Sequence, residues 1–182
     1  MSVASGTLET PLGTLVVTWT GVRLEGLELA LPRARLQTRK LNPGPVQILQ
    51  PDKPFGEGAR VDSPVPPWVR QALDEYFRDG MRGLDLPVAP AGTDFQRRVW
   101  AMLRTIPPGS TRTYGDLARE LGTSPRAVGG ACRANPCLIA VPCHRVVARD
   151  GLGGFGGERG GKRLAVKRWL LRHEGAAAGR LP

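Results

Sequence analysis

A cysteine and a histidine stand side by side in the second half of the chain, as Cys143 and His144. A thiol attacks strongly only as its thiolate, and an unperturbed cysteine is roughly a few per cent ionised at neutral pH. A nearby imidazole can take the proton. Because neighbouring side chains of an extended chain point apart, we expect a bridging water between the two groups. The pair therefore predicts a nucleophilic cysteine with His144 as its base.

A carboxylate that could orient this imidazole is Glu174, at the end of the last predicted helix. There it faces the negative end of the helix dipole, a mismatch of about 0.3–1 kcal/mol that a tertiary partner would offset. His144 is the candidate partner, since a carboxylate on the far ring nitrogen fixes the tautomer and stabilises the imidazolium. The alternatives are surface exposure of Glu174 and burial of Cys143 as an inert structural thiol.

The three cysteines, Cys132, Cys137 and Cys143, could instead bind a metal together with His144. Their spacing contains no Cys-x-x-Cys pair, so we expect no metal. A sparse, odd number of cysteines favours a reducing compartment, and the first residues do not resemble a secretory signal. We therefore expect a cytoplasmic protein. No apolar run approaches the roughly 18 residues of a membrane span, so no membrane partner is expected.

The positive charge of the chain is confined to its second half. The formal net charge of the 182 residues is +10, yet residues 1–90 hold ten basic and ten acidic side chains, whereas residues 91–182 hold sixteen and six. This asymmetry is typical of a neutral scaffold joined to a module that binds a polyanion such as nucleic acid. An arginine-rich genome is the alternative, but a codon bias would affect both halves alike.

The apolar pattern predicts an α/β protein in the broad sense (α+β). Its parts are a scaffold domain over residues 1–90, a C-terminal domain over 91–175 and a flexible tail over 176–182. Alternation over residues 7–29 predicts a small β-sheet, a Pro-rich loop follows over 42–67, and Pro67 begins a helix. The C-terminal domain is predicted to be a helix-turn-helix domain, similar to a winged helix, that carries the cysteine. Short strands are expected there at residues 138–141 and 146–147.

The helix-turn-helix prediction rests on two short helices separated by Gly122-Thr123-Ser124. Thr113 caps the first helix, and Ser124 caps the second. The second helix carries a stripe of small residues flanked by two arginines; the set is Arg126, Ala127, Gly130, Ala131, Arg133 and Ala134. Adjacent glycines cost about 1 kcal/mol each relative to alanine, so a close approach to another surface must compensate. The DNA minor groove fits such a slim helix, and close helix packing inside the protein is the alternative.

The sequence Val-Pro-Cys-His-Arg-Val at residues 141–146 resembles the active-site signature of the O6-alkylguanine-DNA alkyltransferases, also called methylated-DNA–protein-cysteine methyltransferases. The resemblance continues in order through residues 114–118, 126–131, 135–136, 164–167 and 173–175. It implies DNA repair by direct damage reversal. An alkyl group, usually methyl, passes irreversibly from O6-alkylguanine in double-stranded DNA to Cys143, once per molecule and without a cofactor. It also implies minor-groove binding, base flipping, activity on O4-alkylthymine and a monomeric protein.

The resemblance implies a role for each matching residue. Cys143 accepts the alkyl group, His144 is its base through water, Glu174 orients the imidazole, and Tyr114 donates to the guanine ring. Arg126 fills the gap left by the flipped base. Further DNA contacts are expected from Thr113, Ser124, Ala127, Gly129, Gly130, Ala131 and Arg133. The residues expected to bind the base or hold the site are Asn135, Val146, Phe155, Gly156 and Arg145. Of these, Asn135 and Arg145 are expected to be structural. The carbonyls of Cys143 and Val146 are expected to accept hydrogen bonds from the exocyclic amine of the flipped guanine.

The Gly-rich loop departs from the family pattern, because Phe155-Gly156 stands where many relatives have Tyr-Ser. The Gly156 amide can still contact the guanine oxygen. A mobile rim would relax the size limit of the pocket, so we expect alkyl groups larger than methyl to be accepted as well.

Three other functions fit parts of the pattern. A non-catalytic alkyltransferase-like protein that binds damaged DNA would lack the acceptor cysteine, whereas Cys143 is present. A helix-turn-helix transcriptional regulator of this kind carries an N-terminal metal-binding cysteine domain, and residues 1–90 contain no Cys or His. A thiol hydrolase would have no use for the small-residue helix.

Overall fold

The structure, a computed structural model, describes residues 2–30, 63–157 and 160–176. Residues 42–62 of the predicted Pro-rich loop lie outside the described residues, as do residues 177–182 of the predicted tail. The fold class agrees with the sequence prediction: a small antiparallel sheet precedes a mainly helical C-terminal region.

The N-terminal sheet is an antiparallel meander of three strands, β1 (Ala4–Thr10), β2 (Gly13–Thr20) and β3 (Arg23–Leu29), paired in that order. Two-residue turns connect the strands, and the second turn begins at Gly21 with a φ of 57°. Alternate side chains of a strand point to opposite faces. The inward face accordingly carries apolar residues such as Leu15, Val17 and Leu27, all fully buried.

Helix α1 (Pro67–Arg78) follows and buries Val69, Leu73 and Tyr76. Helix α2 (Asp94–Arg104) begins at a capping box, in which the Thr93 side chain accepts from the Gln96 amide and the Gln96 side chain accepts from the Thr93 amide. Such a box satisfies two backbone donors that a helix start otherwise leaves unpaired.

The helix-turn-helix consists of α3 (Tyr114–Glu120) and α4 (Pro125–Arg133), with Thr113 and Ser124 as the predicted caps. Gly122, in the turn between them, has a φ of 62°, which favours glycine. The last helix, α5, runs over Gly161–His173. Two short strands, β4 (Arg112–Thr113) and β5 (Val146–Val147), pair in parallel beside the helix-turn-helix.

The strand expected over residues 138–141 is wrong, because this segment is a tight turn. Within it, the amide of Val141 donates to the Cys137 carbonyl, and Ile139 has a φ of 68°. A positive φ is unusual for a β-branched residue, so the surrounding packing must impose it. A short apolar run cannot distinguish a buried turn from a buried strand by periodicity alone.

One hydrophobic core connects the two halves of the chain. The edge strand β3 lies against the segment that leads to Cys143: the Leu27 amide donates to the Pro136 carbonyl at 2.8 Å, and the Leu138 amide donates to the Leu27 carbonyl at 2.7 Å. The sheet therefore supports the turn that positions the cysteine. Among the described residues, no helix combines the length and apolarity that crossing a membrane requires.

Candidate active site

Cys143 begins a single turn of 3-10 helix, Cys143–Arg145, which follows the turn at residues 138–141. The side chain of Asn135 forms hydrogen bonds to both ends of the turn at residues 138–141 and to Cys143. Its Nδ2 donates to the Val141 carbonyl at 2.8 Å and to the Cys143 Sγ at 3.3 Å, and its Oδ1 accepts from the Cys137 amide at 3.0 Å. The amide of Asn135 therefore both braces the backbone and places a donor directly on the sulfur.

Cys143 is 8% exposed and lines a cavity of about 50 Å³. The other lining residues are Leu29, Cys132, Leu138, Phe155, Gly156, Arg163 and Val166. Since roughly 10–15 Å³ of such volume holds one water, the cavity has room for a group of a few heavy atoms. The thiol therefore faces a small, mostly apolar space rather than packed protein on every side.

A buried polar network lies behind the cysteine. His144 Nε2 is 2.9 Å from Glu174 Oε1, and Arg145 donates to both carboxylate oxygens, from Nε at 2.8 Å and from Nη2 at 2.9 Å. The Tyr76 hydroxyl, from helix α1, donates to the same Oε1 at 2.8 Å. Glu174 is fully buried with its partner His144, so the alternative of a surface carboxylate is excluded.

The charges in this network follow from its contacts. Burial alone would raise the pKa of Glu174, but hydrogen bonds from His144 and Arg145, the positive charge of Arg145 and, in acid, that of protonated His144 hold that pKa at about 2. Burial lowers the pKa of His144 more than the Glu174 contact raises it. At neutral pH the carboxylate is therefore ionised, balanced by Arg145, and the imidazole is neutral.

The free ring nitrogen of His144 is the second feature of the network. Its Nε2 carries the proton that is donated to Glu174, which leaves Nδ1 as a lone-pair acceptor. Nδ1 is buried and has no hydrogen-bond partner among the described residues. A buried acceptor without a partner is unusual, so this nitrogen is suited to receive a proton. The bridging water to Cys143 stays a prediction.

The thiol itself is protonated in this state, because burial raises the pKa of Cys143. Two contacts act in the opposite direction: the hydrogen bond from Asn135 and the positive charge of Lys167. The site therefore holds a thiol and a neutral imidazole at rest, and it contains the groups that favour a thiolate once the proton leaves.

Lys167 is a residue of the site that the sequence analysis missed. It is fully buried in α5, and its ammonium donates to the carbonyls of Val146 at 2.6 Å, Leu152 at 2.5 Å and Gly154 at 3.1 Å. Burial lowers its pKa to about 8. A signal was present in the sequence, since Lys167 shares the buried face of α5 with Leu170 and Leu171.

Tyr114, at the start of α3, stands beside the Gly-rich loop. Its hydroxyl donates to the Gly154 carbonyl at 3.3 Å, and its ring lies 5.8 Å from the Lys167 ammonium. Burial, with a smaller contribution from the two cavity cysteines, raises the pKa of Tyr114, so the phenol remains a proton donor. The Val146 carbonyl, expected to accept from a bound base, already accepts from Lys167, and its second lone pair remains.

Fewer residues lie on the exposed face of α4 than the sequence predicts. Arg126, Gly130 and Arg133 are exposed, with Ser124 and Ala134 beside them, and a Cβ added at Gly130 would meet nothing within 4 Å. Ala127, Gly129 and Thr113 are half-buried. Ala131 was expected on this face, and that expectation is wrong: it is 3% exposed and turned into the core, where its carbonyl accepts from Trp100 Nε1 at 2.9 Å.

The Gly-rich loop lies between two arginines. Phe155 is buried, whereas Gly156 and Gly157 are exposed and have positive φ values of 56° and 88°. A Cβ added at Gly156 would lie 2.6 Å from Arg163, and one added at Gly157 would lie 2.9 Å from Arg133. The loop thus connects the cavity to the exposed face of α4.

Comparisons with known proteins agree with this arrangement. Residues 94–176 match the family model described as the 6-O-methylguanine DNA methyltransferase, DNA binding domain. A methylated-DNA–protein-cysteine methyltransferase of Salmonella typhimurium is 41% identical over 173 residues, which cover 92% of this chain and 93% of that protein. The chain belongs to the methylated-DNA–protein-cysteine methyltransferase family.

Two further proteins are similar to this chain. A DNA base-flipping protein of Thermus thermophilus is 43% identical over 173 residues, covering 93% of this chain and 98% of that protein. The crystal structure of Mycobacterium tuberculosis OGT in complex with DNA is 33% identical, with a TM-score of 0.73, and the match covers 94% of this chain and 92% of that one.

Two groups of the candidate site lie outside the matched DNA-binding domain of the methyltransferase family. Leu29, from β3, lines the cavity, and Tyr76, from α1, reaches the Glu174 carboxylate. The N-terminal half therefore contributes side chains to the site and is more than a support for it. Sequence patterns could not reveal the Tyr76 contact, because 98 residues separate the two partners.

Proposed function

We propose that this protein repairs alkylated DNA by moving an alkyl group, usually methyl, from O6 of guanine to the sulfur of Cys143. The observation that carries the proposal is the position of Cys143, which faces a small apolar cavity while the buried His144–Glu174 pair lies behind it. A small cavity beside a nucleophile suits a small alkyl group. O4-alkylthymine, which offers the same kind of alkyl–oxygen bond, is a second substrate.

The first step is removal of the thiol proton. His144 Nδ1 accepts it through a water, and the imidazolium that forms is stabilised by the Glu174 carboxylate on the other ring nitrogen. The thiolate is stabilised by the Asn135 donor at 3.3 Å and by the positive charge of Lys167. These groups offset part of the penalty that burial imposes on the thiolate.

The second step is an in-line displacement at the alkyl carbon. The sulfur–carbon bond forms while the carbon–oxygen bond breaks, and the electron pair of that bond stays with guanine. Tyr114 donates its phenolic proton toward the guanine ring nitrogen as negative charge develops there, a form of transition-state stabilisation that contributes strongly to catalysis. The thioether product is stable, so each molecule acts once and no cofactor takes part.

Helix α4 is proposed to bind the minor groove of double-stranded DNA. Its exposed face combines Gly130, which has open space around it, with Arg126 and Arg133 at the two ends. A slim, basic face suits a narrow groove lined with phosphates. Arg126 replaces the stacking of the flipped base, a loss of a few kcal/mol for the duplex. Because this function requires a reduced thiol and access to chromosomal DNA, we propose a cytoplasmic compartment. We also propose that the protein acts as a monomer, as the family resemblance implies.

A titration with DNA tests the proposal. The protein is incubated with an excess of duplex that contains O6-methylguanine, and restored guanine is counted. The expected plateau is one guanine per protein molecule. Cys143→Ser is expected to restore none, whereas Cys137→Ser, a matched change at a buried cysteine that does not line the cavity, is expected to retain the plateau. Continued turnover, or full activity of Cys143→Ser, would contradict the proposal.

A binding-only function is the second candidate, because the Thermus thermophilus relative is a DNA base-flipping protein. The same titration separates the two functions. Tight binding of the damaged duplex with no restored guanine by the unmodified protein would favour the binding-only function over transfer.

A further inference from the structure

The Glu174 carboxylate accepts a hydrogen bond from outside the DNA-binding domain. The Tyr76 hydroxyl donates to Oε1 at 2.8 Å, and the same oxygen also accepts from His144 and from Arg145 Nη2, both at 2.9 Å. Oε2 accepts from Arg145 Nε alone among the described contacts. Oε1, the carboxylate oxygen next to His144, therefore accepts three hydrogen bonds.

The position of this hydroxyl is fixed by its surroundings. Tyr76 is fully buried, and its ring packs edge-on against Phe77, at 5.4 Å between centroids, and against His173, at 5.2 Å. His173 in turn stacks on Trp169 at 4.6 Å and contacts the Tyr76 carbonyl through Nε2 at 2.7 Å. Helices α1 and α5 therefore hold the phenol against the carboxylate.

The phenol keeps its proton under all ordinary conditions, since burial and the neighbouring carboxylate raise the pKa of Tyr76. It therefore acts as a permanent neutral donor. A neutral donor on a carboxylate lowers the basicity of that carboxylate, and a less basic carboxylate stabilises a neighbouring imidazolium less.

We propose that Tyr76 is a positioning residue of the transfer reaction, which holds the Glu174 carboxylate and keeps the His144 imidazole neutral and ready to accept the thiol proton. This inference rests on the proposed function for its kinetic consequence. Its electrostatic consequence is measurable in the protein without DNA.

Three charged groups near His144 also affect its protonation. Arg145 and Lys167 both disfavour the imidazolium, and Glu174 favours it. All three are unchanged in Tyr76→Phe, which removes one oxygen and keeps the ring. His173 faces the Tyr76 ring and is the only other histidine of the chain, so two imidazole signals report separately on the two sites.

The experiment is an NMR titration of the His144 imidazole in the wild-type protein and in Tyr76→Phe, without DNA. Loss of the donor is expected to move the His144 midpoint upward by roughly 0.3–1 pH unit. Phe77→Leu is the matched control: it disturbs the same aromatic cluster without touching the carboxylate, so it is expected to lower Tm and leave the midpoint in place. An unmoved or lowered midpoint in Tyr76→Phe would overturn the proposal.

A kinetic arm uses methyl transfer from O6-methylguanine duplex between about pH 5 and pH 8. Tyr76→Phe is expected to be slower than wild type by roughly two- to tenfold at pH values below the His144 midpoints that the NMR titration measures, and nearly equal above them, because the reactive neutral imidazole is depleted first at low pH. A uniform loss at every pH would indicate a merely structural role and contradict the proposal.

The two arms distinguish the failure of this inference from the failure of the proposed function. If wild-type protein transfers no methyl group, the proposed function fails while the NMR titration still tests Tyr76. If wild type transfers and the profile of Tyr76→Phe is unshifted, Tyr76 alone is refuted. In a Glu174→Gln background, Tyr76→Phe is expected to cause no further upward shift, since the carboxylate through which it acts is gone.

Discussion

Replacement of Glu174 by glutamine tests the buried network most sharply. The amide keeps the shape of the side chain and removes its charge, as protonation would. Because the contacts of Glu174 move its pKa from an ordinary 4.5 to about 2, and one pKa unit corresponds to about 1.4 kcal/mol, the ionised form is favoured by about 3 kcal/mol in the folded protein. We expect Glu174→Gln to lower the free energy of unfolding by about that amount at pH 7, consistent with the cost of breaking a buried ion pair.

The expected loss depends on pH, and its sign follows from the direction of the shift. A carboxyl whose folded pKa is depressed stabilises the protein fully above its unfolded pKa, here 4.5, and loses that contribution as the pH falls through about 2. Urea unfolding of the two proteins at a series of pH values should therefore show curves that converge in acid. His144, whose pKa is lowered by burial, adds a loss of stability to both proteins that begins below about pH 6.5.

A surface substitution provides the control. Glu120 forms an ion pair with Arg112 at 2.7 Å, but its side chain is 54% exposed, so Glu120→Gln is expected to change stability by less than about 1 kcal/mol. A stability loss for Glu174→Gln no larger than that of this control at pH 7, or one that is the same at pH 3 as at pH 7, would contradict the proposed role of the Glu174 charge.

Three further predictions concern the cavity, the loop and the DNA face. Lys167→Met is expected to raise the pH midpoint for iodoacetamide labelling of Cys143, because it removes a positive charge that favours the thiolate; an unchanged midpoint would contradict this. Gly156→Ala is expected to lower the free energy of unfolding in urea by about 1 kcal/mol and to change the ratio of benzylguanine to methylguanine repair, because its Cβ would meet Arg163 at a positive φ. In the unmodified protein, a benzylguanine repair rate that is vanishingly small beside the methylguanine rate would refute the expected tolerance of larger alkyl groups. Arg126→Ala is expected to slow repair more than it weakens DNA binding, and equal losses in repair and binding would contradict its proposed role. Arg133→Ala is expected to reduce the slope of the logarithm of the DNA-binding constant against the logarithm of salt concentration by about one released counterion.

The parts of the fold that sequence could predict are those with local causes. The starts of α3 and α4 follow from Thr113 and Ser124, whose side chains accept from backbone amides three residues later. The three-stranded sheet follows from alternation over a short segment with two tight turns. The Glu174–His144 contact was also expected, because a carboxylate at the end of a helix is unfavourable without a partner.

The parts that sequence did not reveal depend on contacts between distant segments. Ala131 shares its spacing with the exposed stripe, but it is 3% exposed, and its carbonyl accepts from the indole of Trp100, on α2. Lys167 shares the buried face of α5 with Leu170 and Leu171, but only the structure shows the three carbonyls that bind its ammonium. Tyr76 reads as an ordinary apolar position of α1, and only the three-dimensional packing brings it to the carboxylate.

The most direct test of the account follows the alkyl group itself. The protein is incubated with duplex DNA whose O6-methylguanine carries a trideuteromethyl group and is then digested. The masses of the cysteine-containing peptides are measured by mass spectrometry. We expect one trideuteromethyl group on the peptide that contains Cys143, with the peptides of Cys132 and Cys137 unlabelled and the DNA base restored to guanine. Label on another residue, or restored guanine without label on Cys143, would contradict this expectation.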